Sequence, residues 1–191
     1  MEVLSLNTVV TSKDAILKTC RHLIKTDGWE AINMRNVANN CNISIGSIYN
    51  YFANKNELIM ETVESIWCDI FHMLEDMRDF TSFVGCIEWL FASMEKGNQQ
   101  YPGFFDHHSS TFVGENKIGA TELMQESWQH IKDGFLYVLK NDSKVNYQVF
   151  DEEFSINQFI EVVFSYLLSA MLQNHFDSRP IVRMIELSIY R

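Results

Sequence analysis

The chain contains very little proline and no long apolar run. Only two of its 191 residues are proline, while 47% are hydrophobic. These proportions favour helices throughout and a substantial core, so we predict an all-α fold. The longest apolar run, residues 162–172, is about half the length needed to cross a bilayer, and no basic segment precedes an apolar one at the N-terminus. We therefore expect a soluble, cytoplasmic protein with no membrane partner.

Cysteine is also scarce, and its spacing argues against two kinds of site. The four cysteines are separated by 21, 27 and 18 positions, with no C-x-x-C pattern and no histidine pair nearby. This is not the spacing of a metal site or a disulfide framework. Each cysteine falls on a predicted apolar helix face, so we expect buried thiols in a reducing compartment. The four residues are Cys20, Cys41, Cys68 and Cys86.

The common catalytic and phosphate-binding motifs are missing from the sequence. G-x-S-x-G, G-x-x-x-x-G-K, H-E-x-x-H and G-x-G-x-x-G do not occur. Nothing therefore sets a nucleophile beside a base, and we predict that the protein is not an enzyme. His107 and His108 beside Asp106 hint at a metal, but no cysteine or carboxylate lies at a metal-like spacing from them. We expect neither a metal nor another cofactor.

The net charge of −10 is distributed unevenly along the chain. Residues 1–60 carry six lysines and arginines against five acids, a balance of +1, whereas the remaining residues carry −11. Binding to phosphates requires a basic footprint, so the acidic total argues against nucleic acid only if it is spread evenly. The near-neutral N-terminal segment remains able to bind DNA, with a binding constant that is sensitive to salt.

Residues 33–58 have the pattern of two short helices around a tight turn, followed by a third helix. Asn33 can cap a first helix from Met34 to about Cys41. Asn42 tolerates the left-handed conformation that ends a helix abruptly. Ser44 can cap a second helix from Ile45 to about Tyr51. This is the outline of a helix-turn-helix reader of DNA.

The second helix of this motif has one apolar and one polar face. Ile48 and Phe52 fall on the inner side, and the outward groups include hydrogen-bond donors and acceptors. Asn54 and Glu57 resemble a capping box for the third helix. Lys55 in its first turn is a cation in a place that the helix dipole disfavours, so we expect it to meet a partner such as a phosphate.

Three segments resemble the N-terminal domain of the tetracycline-repressor-like (TetR) family. They are residues 28–31 (GWEA), 34–38 (MRNVA) and 43–52 (ISIGSIYNYF), followed by Lys55 and Leu58. The resemblance implies that residues 44–51 form the recognition helix. It also implies that Tyr49 and the 51–52 aromatic pair brace this helix and touch phosphate, and that Lys55 binds the DNA backbone. Ile45 departs from the family, in which a polar or basic residue is common.

We assign specific roles within this motif. Ser47 and Asn50 are expected to read base edges, Gly46 to allow close approach, and Tyr49 and Lys55 to hold phosphates. The full set of predicted DNA-binding residues is Arg35, Ser44, Ile45, Gly46, Ser47, Tyr49, Asn50 and Lys55.

The chain is predicted to comprise two domains, a DNA-binding domain in residues 1–54 and a helical domain in residues 55–191 for ligand binding and dimerisation. Helical patterns run over about residues 12–26, 55–77, 82–97, 120–139, 152–175 and 180–190, with a short helix over 104–112 and a loop over 111–119. The helix that begins at Lys55 is expected to join the two domains.

The second domain is rich in aromatic residues and methionine. Such residues are suited to line an apolar pocket between helices, although aromatics at helical spacing are more often plain core. The predicted ligand-binding residues are Phe71, Trp89, Met94, Phe105, His108, Trp128, Phe135 and Phe164.

The helix around residues 159–172 is apolar on nearly all sides, so it must be covered on more than one side. It is either the centre of a domain or a subunit contact. In the family that the chain resembles, the last two helices pack against their twins, which favours a homodimer. The predicted contact residues are Phe159, Val163, Tyr166, Leu167, Ala170 and Ile185.

These features together predict a dimeric, ligand-responsive transcriptional regulator. We expect a repressor that binds a near-palindromic site in double-stranded DNA and is released by a small apolar or amphipathic effector. The alternative is a helical ligand-binding or protein-interaction module that has lost operator binding.

Overall fold

The computed structural model describes residues 11–71, 79–105 and 117–190, with the backbone alone for residues 117–127. These residues contain helices and no strand, which confirms the all-α prediction. Eight α-helices can be followed in them: α1 Lys13–Asp27, α2 Met34–Asn40, α3 Ile45–Tyr49, α4 Lys55–Phe71, α5 Phe83–Gln100, α6 Lys117–Asn141, α7 Ile156–Leu172 and α8 Arg179–Ile189. Two short 3-10 helices lie at Trp29–Ala31 and Tyr147–Val149.

The chain divides into two compact units, and the division falls within α4. The first unit ends at Ile66, and the second begins at Trp67. The core of the first unit draws on every one of its helices. Its fully buried members include Ile16 and Cys20 from α1, Val37 from α2, Ile48 from α3 and Leu58 from α4.

In the second unit, α5 packs against α6 and α8, and α6 packs against α7. Phe83 stands at the centre of this arrangement, with its ring centroid 5.8 Å from those of both Phe135 and Phe159. All three side chains are buried. One apolar contact therefore joins α5, α6 and α7.

A buried carboxylate ties together the ends of three helices of the second unit. Asp142 follows the last residue of α6 and is only 1% exposed. Its Oδ2 accepts the Phe83 N–H at the start of α5, at 2.8 Å, and also accepts the hydroxyl of Tyr190, which follows α8. Its Oδ1 accepts the Lys144 N–H at 3.0 Å. Burial by itself raises the pKa of Asp142, but these hydrogen bonds outweigh burial and hold it below its usual value.

The helix predicted to end at Gly97 continues to Gln100 in the structure. Gly97 is buried, and a Cβ built on it would lie 2.6 Å from Ile70 Cδ1 of α4. The glycine therefore permits a close helix contact and does not break α5. The helix predicted over residues 152–175 is shorter, because Ser155 and Gln158 form a capping box that starts α7 at Ile156, and Asn174 adopts φ 50° just past its end.

Two of the four cysteines are not buried as predicted. Cys20 and Cys86 are buried, but Cys41 is half-buried and Cys68 is exposed. Burial raises the pKa of the Cys20 thiol to about 11 and that of Cys86 to about 12. The helix α4 does bury one apolar face, but Cys68 does not lie on that face.

Several predictions lie wholly or partly outside the described residues. They are the end of α4 near residue 77, the short helix over 104–112, most of the loop over 111–119, and the side chains of Asp106, His107 and His108. The chain is already helical at Lys117, three residues before the predicted start of the helix after that loop. Within the described residues, none of the helices is long and apolar enough to cross a membrane.

Candidate nucleic-acid interface

The turn between α2 and α3 is built by backbone hydrogen bonds around one residue with positive φ. Asn33 caps α2, and its Oδ1 accepts the Asn36 N–H at 2.9 Å. At the other end Asn42 adopts φ 55°, its N–H donates to the Asn39 carbonyl, and the Ile43 N–H donates to the Ala38 carbonyl, both at 3.1 Å. This pair of bonds is a Schellman motif, which reverses the chain within a few residues. The sequence predicted both the cap and the left-handed residue.

Ser44 begins α3 as predicted. Its Oγ accepts the Ser47 N–H at 3.1 Å and lies 2.9 Å from the Ser47 hydroxyl. The helix ends at Tyr49, two residues before the predicted end, and Asn50 follows as its C-cap. On the inner side Ile48 is fully buried. The two helices and the tight turn between them thus have the geometry of a helix-turn-helix.

The outward face of α3 combines apolar and polar groups. The side chains of Ile45 and Tyr49 are 43% and 53% exposed, and Gly46 and Asn50 are also exposed. Ser47, a predicted base reader, is half-buried and shares its hydroxyl with Ser44. Asn50 is therefore the more accessible of the two polar groups that were expected to read bases.

Two exposed cations flank this face in the chain. Arg35 lies in the first turn of α2, and Lys55 is the first residue of α4. Neither makes an ion pair or hydrogen bond within the part of the chain that the structure describes. Lys13, by comparison, pairs with Glu61, and its Nζ lies 5.7 Å from the centre of the Phe52 ring. Arg35 and Lys55 thus retain donors for a partner.

The capping box predicted at the start of α4 forms in an altered way. Asn54 Oδ1 accepts the Glu57 N–H at 3.0 Å, as expected. The Glu57 carboxylate, however, accepts the N–H of Ala53, one residue before the cap. Glu57 thus satisfies one backbone donor in front of the helix, and Lys55 remains in the first turn as predicted.

The second aromatic residue of the resemblance has an internal partner. Tyr51 is half-buried, and its hydroxyl donates to the Thr11 carbonyl at 2.6 Å. It therefore fastens the chain just before α1. Tyr49 is the tyrosine of this motif whose ring is exposed.

The residues predicted to bind a ligand are distributed over several aromatic contacts in the second unit. Phe71 stacks on Trp67 at 5.0 Å, and Phe105 contacts the same indole at 6.0 Å. Trp128 and Phe164 form a separate pair at 5.8 Å. Phe135 contacts Phe83, and Trp89 contacts Phe80. Met94 is fully buried, and His108 lies outside the described residues.

A charged pair, Lys132 and Glu161, lies beside the Trp128–Phe164 pair. Lys132 Nζ lies 5.6 Å from the centre of the Phe164 ring and 2.7 Å from the Glu161 carboxylate. This is the one place among the predicted ligand residues where a charged pair borders an aromatic pair in the described structure.

The residues predicted to form a subunit contact lie mainly inside the second unit. Phe159, Val163, Leu167, Ala170 and Ile185 are at most 6% exposed, and Tyr166 is half-buried. Sequence reasoning missed the apolar side chains that the last two helices do expose. They are Val162 and Leu172 of α7, at 49% and 65%, and Met184 and Leu187 of α8, at 53% and 39%.

A signal for the α8 residues was present in the sequence. Ile181, Ile185 and Ile189 recur every four residues and are buried. Met184 and Leu187 fall off that stripe, so a helical phase would have assigned them to the opposite side.

The fold and the α2–α3 geometry define a helix-turn-helix protein, and comparison with known proteins shows which family this N-terminal segment matches. Residues 16–62 match the family described as bacterial regulatory proteins, tetR family. A search of curated proteins finds no significant match. Residues 16–62 therefore match the N-terminal domain of the TetR family, which confirms the resemblance.

Solved structures show that the rest of the chain also shares this fold. The TetR family transcriptional regulator PfmR from Thermus thermophilus is 17% identical with a TM-score of 0.55, over 96% of this chain and 97% of that chain. A Clostridium perfringens protein with a proposed role as a fatty acid metabolism regulator is 16% identical with a TM-score of 0.52, over 91% and 96%. A linker-substituted mutant of HlyIIR is 14% identical with a TM-score of 0.51, over 92% and 93%.

Proposed function

We propose that the protein is a dimeric repressor that binds a near-palindromic operator and is released by a small apolar or amphipathic effector. The observation that carries the DNA-binding part is the outward face of α3. It exposes Tyr49 and Asn50 and carries no acidic side chain, and the exposed cations Arg35 of α2 and Lys55 of α4 lie on either side of it in the chain. An acidic face would favour the alternative, a module that has lost operator binding.

The individual roles follow from exposure and chemistry. Asn50 reads base edges, with Ser47 as a lesser reader because its hydroxyl is shared with Ser44. Gly46 allows close approach, since a Cβ there would meet only Ser44 Oγ at 3.6 Å. Tyr49 and Lys55 hold phosphates, which fixes the register of α3 on the duplex.

The DNA-binding role can be tested by selecting duplexes from a random library with the purified full chain. Lys55→Ala should weaken binding to every selected duplex and reduce the slope of log K against log salt by about 1 per lost phosphate contact. Tyr49→Phe should weaken binding without a change in sequence preference. Lys140→Ala removes the same charge from an exposed position in α6 and serves as the matched control.

If Lys55→Ala and Lys140→Ala gave the same affinity and salt slope, the phosphate role of Lys55 would be wrong. If no duplex were enriched by the wild-type chain, the alternative without operator binding would replace the repressor proposal.

The proposed dimer uses the exposed apolar side chains of α7 and α8. Met184 and Leu187 lie three residues apart, so they occupy one face of α8, and burying them against a second copy removes apolar area from water. A two-fold axis presents two copies of α3 to two half-sites, which is why we expect a near-palindrome.

Sedimentation of a Met184→Glu, Leu187→Glu variant tests this interface. We expect a monomer, because two buried carboxylates would lack partners. Gln148→Glu adds charge at another exposed position and should leave the dimer intact. A dimer that persists in the double variant would exclude this face.

The proposed effector site adjoins the Trp128–Phe164 pair, where Lys132 and Glu161 supply a polar end to an apolar surface. An effector releases DNA only if it prefers the arrangement that binds DNA poorly, and typical couplings change affinity about 5- to 150-fold. Palmitate is a suitable amphipathic probe, given the role proposed for the Clostridium neighbour.

We expect palmitate to quench or shift the Trp128 fluorescence and to weaken DNA binding, with Lys132→Met reducing both effects. Palmitate binding without any change in DNA affinity would contradict the proposed regulation.

A further inference from the structure

The N-terminal unit exposes large hydrophobic side chains in one place. Among its described residues, Ile45 and Tyr49 are the two large hydrophobics on the surface, at 43% and 53% exposure. They are four residues apart in α3 and therefore stand one helical turn apart on the same side. The exposed apolar surface of this unit thus coincides with the outward face of the recognition helix.

Neither the capping of α3 nor its packing on the core explains an apolar residue at position 45. The cap of α3 is provided by Ser44, and its core contact is provided by Ile48, which is fully buried. The next residue, Gly46, has no side chain that could cover Ile45. A polar side chain would be the ordinary occupant of such a site in water.

The polar readers beside Ile45 are few. Ser47 shares its hydroxyl with Ser44, and Asn50 lies beyond the end of α3. The most accessible contact that the first turn of α3 can offer a groove is therefore the apolar sec-butyl side chain of Ile45.

We infer that Ile45 reads the 5-methyl group of a thymine in the major groove, an inference that rests on the proposed DNA-binding function. Thymine is the one base that presents a methyl group there, whereas the other bases present donors and acceptors. Contact between Ile45 and that methyl group would remove apolar surface of both from water and so favour binding. Against guanine, adenine or cytosine it would cover polar edges without bonding them, and this desolvation is unfavourable. Ile45 is thus a specificity-determining residue.

Duplexes selected with the full chain allow a direct test at the level of a single methyl group. Each dT is replaced in turn by dU, which removes the methyl group and keeps every hydrogen-bonding group. We expect an affinity loss of about fourfold at one thymine per half-site, the value for uncovering one methyl-sized apolar group. At the same position, 5-methyl-dC should bind more tightly than dC.

Protein variants separate this contact from general loss of binding. Ile45→Ala should bind the dT and dU duplexes equally, because the partner of the methyl group is gone. Tyr49→Phe should bind more weakly but retain the fourfold preference for dT. Both positions are exposed, so thermal unfolding of both variants should match that of the wild type.

The outcomes distinguish the inference from the function on which it rests. Enriched duplexes whose affinity is insensitive to every dU replacement, or a dU effect that persists in Ile45→Ala, would overturn the role of Ile45 and leave DNA binding in place. Failure to enrich any duplex would overturn the proposed function, and the inference with it.

Discussion

Replacing Gly97 by alanine should destabilise the second unit, although alanine is the better helix former. A Cβ at Gly97 would lie 2.6 Å from Ile70 Cδ1, 2.8 Å from Cγ1 and 2.9 Å from Cγ2. Isoleucine is branched at Cβ and stiff at χ1 within a helix, so a rotation that clears one γ carbon cannot clear both. Overpacking costs about 1–3 kcal/mol, and the gain in helix propensity is about 1 kcal/mol. We expect a net loss of up to about 2 kcal/mol.

Chemical denaturation followed by circular dichroism measures this loss, and α5 supplies its own control. A Cβ at Gly85 would meet Ser82 Cβ at 3.6 Å, an ordinary contact, so Gly85→Ala should be neutral or stabilising. The cost of Gly97→Ala should also fall in an Ile70→Ala background, because the clashing atoms are gone. If Gly97→Ala stabilised the protein as Gly85→Ala does, the close contact between α4 and α5 would not exist as described.

Three further predictions concern single side chains. Asp142→Asn should lower stability at neutral pH by about 1.5–3 kcal/mol, the value of hydrogen bonds to a charged group. Because the pKa of Asp142 is lowered in the folded state, this advantage of the wild type holds above the pKa of the unfolded chain and is lost as the pH falls through the folded pKa, which denaturation at stepped pH will show. Asn42→Ala should cost about 1 kcal/mol in thermal or chemical unfolding, and Asn42→Gly should be nearly neutral, since φ is 55° there. A thiol reagent should label Cys68 in the folded protein and reach Cys20 and Cys86 only on unfolding; equal labelling rates would contradict the burial described.

The parts of the fold that the sequence predicted are those built by neighbours in the chain. Asn33, Asn42 and Ser44 each act through backbone groups within five residues, so their residue type and position were enough to predict the motif. The outward exposure of Tyr49 followed from helical phase in the same way. For the candidate DNA-binding face, local chemistry and helical periodicity predicted most of the arrangement.

The parts that the sequence did not predict depend on partners that are distant in the chain. Gly97 resembled a helix breaker because the reason for it, Ile70, lies on another helix. Asp142 lies just beyond the helix predicted to end near residue 139, and no local pattern indicated its bonds to Phe83 and Tyr190, which cross 59 and 48 residues. The apolar character of α7 was clear, but which of its residues face inward depends on the helices packed around it.

The carboxylate of Asp142 also bears on the order in which the protein can fold. It bonds to the start of α5 and to Tyr190, the residue after α8. These two partners also contact each other, because the Val84 N–H donates to the Tyr190 hydroxyl across 106 residues. Contacts of such separation form slowly and only after the later segment is available. The ion pair between Lys13 and Glu61 in the first unit spans 48 residues. During synthesis, therefore, the first unit can be complete while the helix ends around Asp142 still await Tyr190.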